Sequence, residues 1–229
     1  LDAINETIKC HPCHNEKTGR NPYDSIKQER QKMEKEQAEK RFEREFAYRI
    51  ALDLVEKLKP HCEIVEIAGS IRRKKLDVKD IEIVVLPKTT EEATGLFDIE
   101  LVRSRDFISE VKKFGKIVKG SPEDGRYVQI ELPKDIKLDL FIPTSDDFYR
   151  QYAIRTGSAD YAKREIAYRW TMKGWCGTEN GLRRQDQCIK KGSTWVCTAT
   201  NPVLPPIWKS EKEFFQWIGA EYKDPELRI

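Results

Sequence analysis

"AGSIRRKKLDVKDIEIVVLP", residues 68–87, places a Gly-Ser pair and two arginines ahead of a strand headed by Asp80 and Glu82. From Asp80 the polar and apolar positions alternate. Asp80, Glu82 and Val84 fall on one face and Ile81, Ile83 and Val85 on the other, the period-two pattern of a half-buried strand. Acidic residues are depleted in strands, and two carboxylates about 6–7 Å apart on one strand face repel unless solvent or a cation lies between them. The run "KLDLFIP", residues 137–143, repeats the pattern with Asp139 alone among apolar neighbours. With the two strands adjacent in one sheet, three carboxylates would converge. Oxygen-only donors of that kind suit Mg²⁺ or Mn²⁺, and a pair of such ions can activate an attacking hydroxyl and stabilise a leaving pyrophosphate. Ahead of the strand, Gly69 permits close backbone approach to an anion. Ser70 adds a hydroxyl donor, and Arg72 and Arg73 can neutralise phosphate charge.

The rest of the chain sets this segment in context. Its 229 residues are enough for one large domain or two small ones. Charged residues make up 35% and hydrophobic residues 38%, so the surface is heavily ionic while a core remains possible. A net charge of +3 neither establishes nor excludes nucleic acid, because a local basic groove matters more than the sum. Neither a signal peptide nor an apolar run of about 20 residues is present, so no membrane partner is expected. Six cysteines in a chain of this length do not resemble a disulfide scaffold, and an intracellular, reduced protein is expected. The first residue is Leu rather than Met, which suits a start inside a longer gene product.

Four regions are read along the chain. Residues 1–22 form a polar, zinc-knuckle-like segment, and residues 23–60 a long charged helix. Its second half carries Phe42, Phe46, Ile50, Leu54 and Leu58 at i+4 spacing and stops at Pro60. The charged part, 27–45, reads as a solvated face or as an arm for DNA or a partner. Residues 61–145 are rich in short strands, with a helix expected over 98–113. Residues 146–229 read as mostly helical, with one hairpin at "QCIKKGSTWVC". A last helix follows Ser210 as N-cap, with Glu213 at the capping-box position and Gly219 as C-cap. The fold class expected is α+β: a mixed sheet backed by helices, then the mostly helical part with its hairpin. The five tryptophans read as core or interface residues.

The ordered blocks "GSIRR", "DIE", "KLDLF", "RTGSADYAKREIA", "KGW" and "NGLRR" resemble the palm and following subdomain of family X DNA polymerases, the polymerase beta-like group. The ending "SEKEFFQWIGAEYKDPELR" resembles that family's C-terminal stretch. The resemblance implies a nucleotidyltransferase palm, in which Asp80, Glu82 and Asp139 hold two Mg²⁺ (or Mn²⁺) ions and Asp139 is the candidate base nearest a primer 3′-hydroxyl. It implies that Gly69, Ser70, Arg72 and Arg73 meet the incoming triphosphate. Arg155, Thr156, Gly157 and Ser158 would lie beside the nucleotide sugar, and Tyr161 near its base. The activity implied is templated, gap-filling transfer of dNMP from dNTP to a DNA 3′-end by a monomer. Three departures stand out. Glu82 occupies a position where the larger family usually has Asp. Ile154 and Arg155 replace an aromatic pair, and Ala162 replaces an Asn. The family's lyase domain and helix-hairpin-helix clamp have no counterpart in these residues.

Cys10 and Cys13, with His11 and His14 beside them, have zinc-knuckle spacing. Residues 8–20 resemble the second zinc half of HNH-type nucleases. A zinc site there would need further ligands, from His11 or His14 and from Cys176, Cys188 or Cys197. Two rivals to the polymerase reading follow from the sequence. One is a template-independent or small-acceptor nucleotidyltransferase. The other is a DNA-binding accessory module of a larger nuclease-containing protein.

Overall fold

The computed structural model describes residues 40–93 and 98–229, and residues 41–229 form one unit. Expectations for Cys10, Cys13 and the charged run up to residue 39 lie outside the described residues. In chain order the first elements are β1 (Phe42–Glu43), α1 (Arg44–Leu58), β2 (Cys62–Ile67), α2 (Gly69–Arg72), β3 (Asp77–Val78) and β4 (Asp80–Pro87). Next come β5 (Thr89–Ala93), β6 (Ile99–Arg103), α3 (Arg105–Lys113), β7 (Lys116–Gly120), β8 (Tyr127–Glu131) and β9 (Lys137–Phe141). The protein is α+β.

The central sheet has the order β2-β4-β9-β8-β7, with β4 and β9 parallel and the other neighbours antiparallel. Alternation along each strand sorts its two faces. Ile81, Ile83, Val85, Val128, Ile130, Leu138 and Leu140 point to one side and are buried there with Ala47, Ala51, Leu54 and Leu58 of α1 and Phe107 and Val111 of α3. The opposite face carries Val84 and Phe141 under Phe148 and Tyr152. Beyond that small cluster it stays polar, and the three carboxylates belong to it.

Two expectations are corrected here. The buried stripe of α1 is Ala47, Ala51, Leu54, Val55 and Leu58, rotated from the Phe42–Phe46–Ile50 line. Two alanines let the helix axis approach the sheet closely, and the larger residues flank the contact, with Phe42 and Phe46 stacked on each other at 6.0 Å. The helix expected over 98–113 begins only at Arg105. Ile99–Arg103 is instead a strand paired antiparallel with β5. Ser104 then caps α3 by accepting a hydrogen bond from the Phe107 amide at 3.2 Å.

Past β9 the chain forms α4 (Phe148–Thr156) and then α5 over residues 159–172, whose middle, Ala162–Ala167, widens into a π turn. Strands β10 (Trp175–Thr178), β11 (Gly181–Arg184), β12 (Cys188–Lys191) and β13 (Thr194–Cys197) follow, and α6 (Glu211–Ile218) closes the order of helices. The expected hairpin is β12–β13. It is half of a four-stranded sheet, order β11-β10-β13-β12, because a second hairpin joins it through the parallel pairing of Thr178 with Trp195. The C-terminal part is therefore mixed rather than mostly helical. Its core gathers Tyr161, Trp170, Trp175, Trp208, Phe214 and Phe215. Ser210 caps α6 through the Glu213 amide at 3.2 Å, and Gly219 ends the helix with φ +74°. No helix among the described residues is long and apolar enough to cross a membrane.

An ion-paired clasp joins α2 to the C-terminal end of this unit. Glu211 on α6 accepts two hydrogen bonds from Arg72 of α2, at 3.0 and 2.8 Å, and two from Arg228, at 2.5 and 3.1 Å. The Arg72 guanidinium also lies 3.8 Å from the centre of the Tyr152 ring. Burial raises the Glu211 pKa, but the bonds and charges of the two arginines outweigh it and hold the carboxyl below its usual range.

Candidate active site

Register brings the acids together. Glu82 pairs with Asp139 across the parallel β4–β9 ladder, and Asp139 pairs with Gln129 across β9–β8. One row across three strands thus reads Glu82, Asp139, Gln129. Asp80 stands two residues before Glu82 on the same face. Asp139 is held tightly. Its Oδ1 accepts a hydrogen bond from the Tyr127 hydroxyl at 2.8 Å and another from Gln129 Nε2 at 2.8 Å.

Glu82 carries the electrostatic strain of the site. Burial, then the neighbouring charges of Asp80 and Asp139, push its carboxyl up to about 7, against the opposing pull of Arg73 and Arg155. Gly69 explains how the backbone passes this side chain. It sits at φ +63° with its Cα against Glu82, and a Cβ there would run into the Glu82 carboxylate. Only glycine accepts both that conformation and that approach.

Two guanidinium groups border the acids. Arg73 donates from Nη1 to the Thr156 carbonyl at 2.5 Å, which ties α2 to the end of α4. Arg155 lies with its guanidinium 4.0 Å from the centre of the Phe141 ring. The Nε atoms of both are buried without a hydrogen-bond partner. Burial lowers the pKa of each, and Glu82 is the largest influence working the other way. A cavity of about 140 Å³ opens beside Arg155, lined also by Tyr127, Phe141, Gln151, Arg126 and Glu179.

The remaining residues singled out from sequence are placed differently from one another. Ser70 is half-buried on α2. Arg72 is committed to Glu211 and to Thr156 Oγ1 at 2.6 Å, so its charge is spent on the clasp. Thr156, Gly157 and Ser158 form the corner between α4 and α5, where Ser158 caps α5 by accepting from the Tyr161 amide at 3.1 Å. Tyr161 is only 5% exposed and belongs to the C-terminal core, so its ring fills the inside of that corner. Cys188 faces Cys197 across β12–β13 and contacts Cys176 as well; all three are free thiols, and burial pushes the Cys188 thiol up to about 12.

Tyr127 and Gln129 are the site residues that sequence reasoning missed. The signal was present in "RYVQIEL", where positions 127 and 129 are the polar members of an alternating strand. Nothing in one sequence said that this strand would lie beside Asp139. Among the described residues, no three His, Cys, Asp or Glu side chains are drawn close enough to hold a metal ion as they stand. The donors nonetheless suit a hard divalent cation. They are all carboxylate oxygens on one sheet face, and a positive charge there would offset the repulsion that raises Glu82. No protein-family model matches this chain, and no curated protein sequence matches it.

Proposed function

We propose that the protein is a metal-dependent nucleotidyltransferase of the polymerase beta-like type, which transfers dNMP from a dNTP to the 3′-hydroxyl of DNA under template direction. The observation that carries this reading is the in-register pairing of Glu82 with Asp139. With Asp80 on the same face and Arg73 and Arg155 at its border, it concentrates anionic donors and cationic partners around one point. That is the arrangement phosphoryl transfer demands, since the reaction depends on positioning and charge stabilisation more than on covalent chemistry.

In this reading the hydroxyl oxygen of the primer bonds to the α-phosphorus, and the bond from that phosphorus to the oxygen bridging toward the β-phosphate breaks, releasing pyrophosphate. Asp139 would take the proton of the attacking hydroxyl. Asp80, Glu82 and Asp139 would hold the divalent ions, which supply Lewis acidity to the attacking and leaving oxygens. Arg73 and Arg155 offer charge to the triphosphate, and the buried, unpartnered Nε of each is a donor still to be matched. Gly69 keeps the backbone clear of Glu82. The gap-filling role and the absence of a second subunit belong to the same proposal.

The test is extension of a labelled primer with Mg²⁺ and each dNTP singly, on templated, gapped and single-stranded DNA, with Asp139→Ala as comparison. The result expected is addition of the complementary nucleotide alone, lost in the variant. Extension without regard to template would replace this reading by a template-independent transferase. DNA binding with no extension on any substrate would replace it by an accessory binding module.

A further inference from the structure

We propose that Tyr127 and Gln129 are positioning residues that fix the Asp139 carboxylate by occupying its Oδ1, so that Oδ2 alone serves the chemistry and the cation. The catalytic half of this inference rests on the nucleotidyl-transfer reading; the geometric half does not. A carboxylate oxygen has two lone pairs to offer, and both on Oδ1 are taken, by Tyr127 and Gln129 at 2.8 Å each. Both donors come from β8, on one side of Asp139, while Glu82 lies on β4, on the other. The carboxylate plane is therefore turned so that Oδ1 faces β8 and Oδ2 is the oxygen toward β4 and the other acids.

The holders are themselves held. Gln129 is the direct cross-strand partner of Asp139, and Tyr127 pairs with Phe141 and packs against its ring at a centroid distance of 5.2 Å. Phe141 in turn carries the Arg155 guanidinium on its ring. An Asp without these two contacts could swing about its χ angles, and its working oxygen would spend only part of its time in the productive place. Reaction rates respond steeply to such misplacement.

The experiment compares wild type with Tyr127→Phe, Gln129→Leu and the double variant, using Tyr48→Phe on α1 as a control away from the acids. Three readouts are taken: steady-state primer extension, Mn²⁺ affinity from the electron paramagnetic resonance signal of free Mn²⁺, and thermal unfolding. Tyr127→Phe is expected to lower kcat about tenfold, and the double variant about a hundredfold, with KM for dNTP within about twofold. Mn²⁺ affinity is expected to fall about threefold to tenfold in both, while Tyr48→Phe changes neither. Wild-type kcat and Mn²⁺ affinity in Tyr127→Phe and in the double variant would overturn the proposal. So would a loss of kcat that tracks a fall in unfolding temperature while Mn²⁺ affinity stays constant, since that is a structural effect alone. If the wild type binds Mn²⁺ but extends no primer, the transfer reading falls, and the Mn²⁺ comparison still decides whether Tyr127 and Gln129 position Asp139. Absence of Mn²⁺ binding in the wild type would overturn both.

Discussion

Replacing Glu82 by Gln is expected to stabilise the metal-free protein, and to do so only above acid pH. The carboxyl has its folded pKa pushed up to about 7 from an ordinary 4.5, so the folded state binds its proton more tightly than the unfolded chain. Stability contributed by such a group is present below the unfolded value and is lost as pH rises from about 4.5 to about 7. The full difference corresponds to roughly 3 kcal/mol. Glu82 is mostly buried but keeps some exposure, and solvent screening brings the expected effect nearer to about 2 kcal/mol. Gln keeps the shape of the side chain and removes the charge. Wild type and Glu82→Gln should therefore unfold alike near pH 4 and separate through neutral pH. At pH 8 the variant should melt about 4–8 °C higher. The assay is thermal unfolding of chelator-treated protein at pH 4, 5, 6, 7 and 8. Parallel curves across that range, or a variant less stable than wild type at pH 8, would refute the reasoning. Either result would mean that Arg73 and Arg155 neutralise Glu82 more fully than the geometry implies.

Two further substitutions probe the frame around the acids. Gly69→Ala places a methyl group at φ +63° and against the Glu82 carboxylate, so a loss of about 2 kcal/mol is expected from the left-handed backbone and the clash together. A urea midpoint unchanged from wild type would show that Glu82 can move aside freely. Glu211→Ala leaves Arg72 and Arg228 without their shared carboxylate, and Arg228 is fully buried. A loss of about 3–5 kcal/mol is expected, read from urea unfolding, and a loss below about 1 kcal/mol would contradict the clasp as the tie between α2 and α6.

The alternation in "DIEIVV" and "KLDLF" was enough to put Asp80, Glu82 and Asp139 on the polar sides of two strands, because the two-residue period is a local property of extended backbone. Local chemistry also marked the last helix, from the Ser210 cap to the left-handed Gly219. Residues 99–103 look helical in a local window, but their partner strand, Thr89–Ala93, decides their conformation and lies outside that window. The stripe expected for α1 holds at Leu54 and Leu58 and is rotated toward Ala47 and Ala51 at its start, for a related reason: large side chains look like the buried face until a sheet beneath favours alanine. The site itself divides in the same way. Its acids were legible one strand at a time, whereas their meeting depends on the parallel register of β4 with β9, which no single strand encodes. The commitment of Arg72 to Glu211 spans 139 positions of sequence. It could not be read from "GSIRR", where both arginines look equally free for phosphate. Tyr127 and Gln129 became site residues only when β8 was laid beside β9. Sequence alone determined which groups could do chemistry, and strand pairing and long-range ion pairs decided which of them stand together.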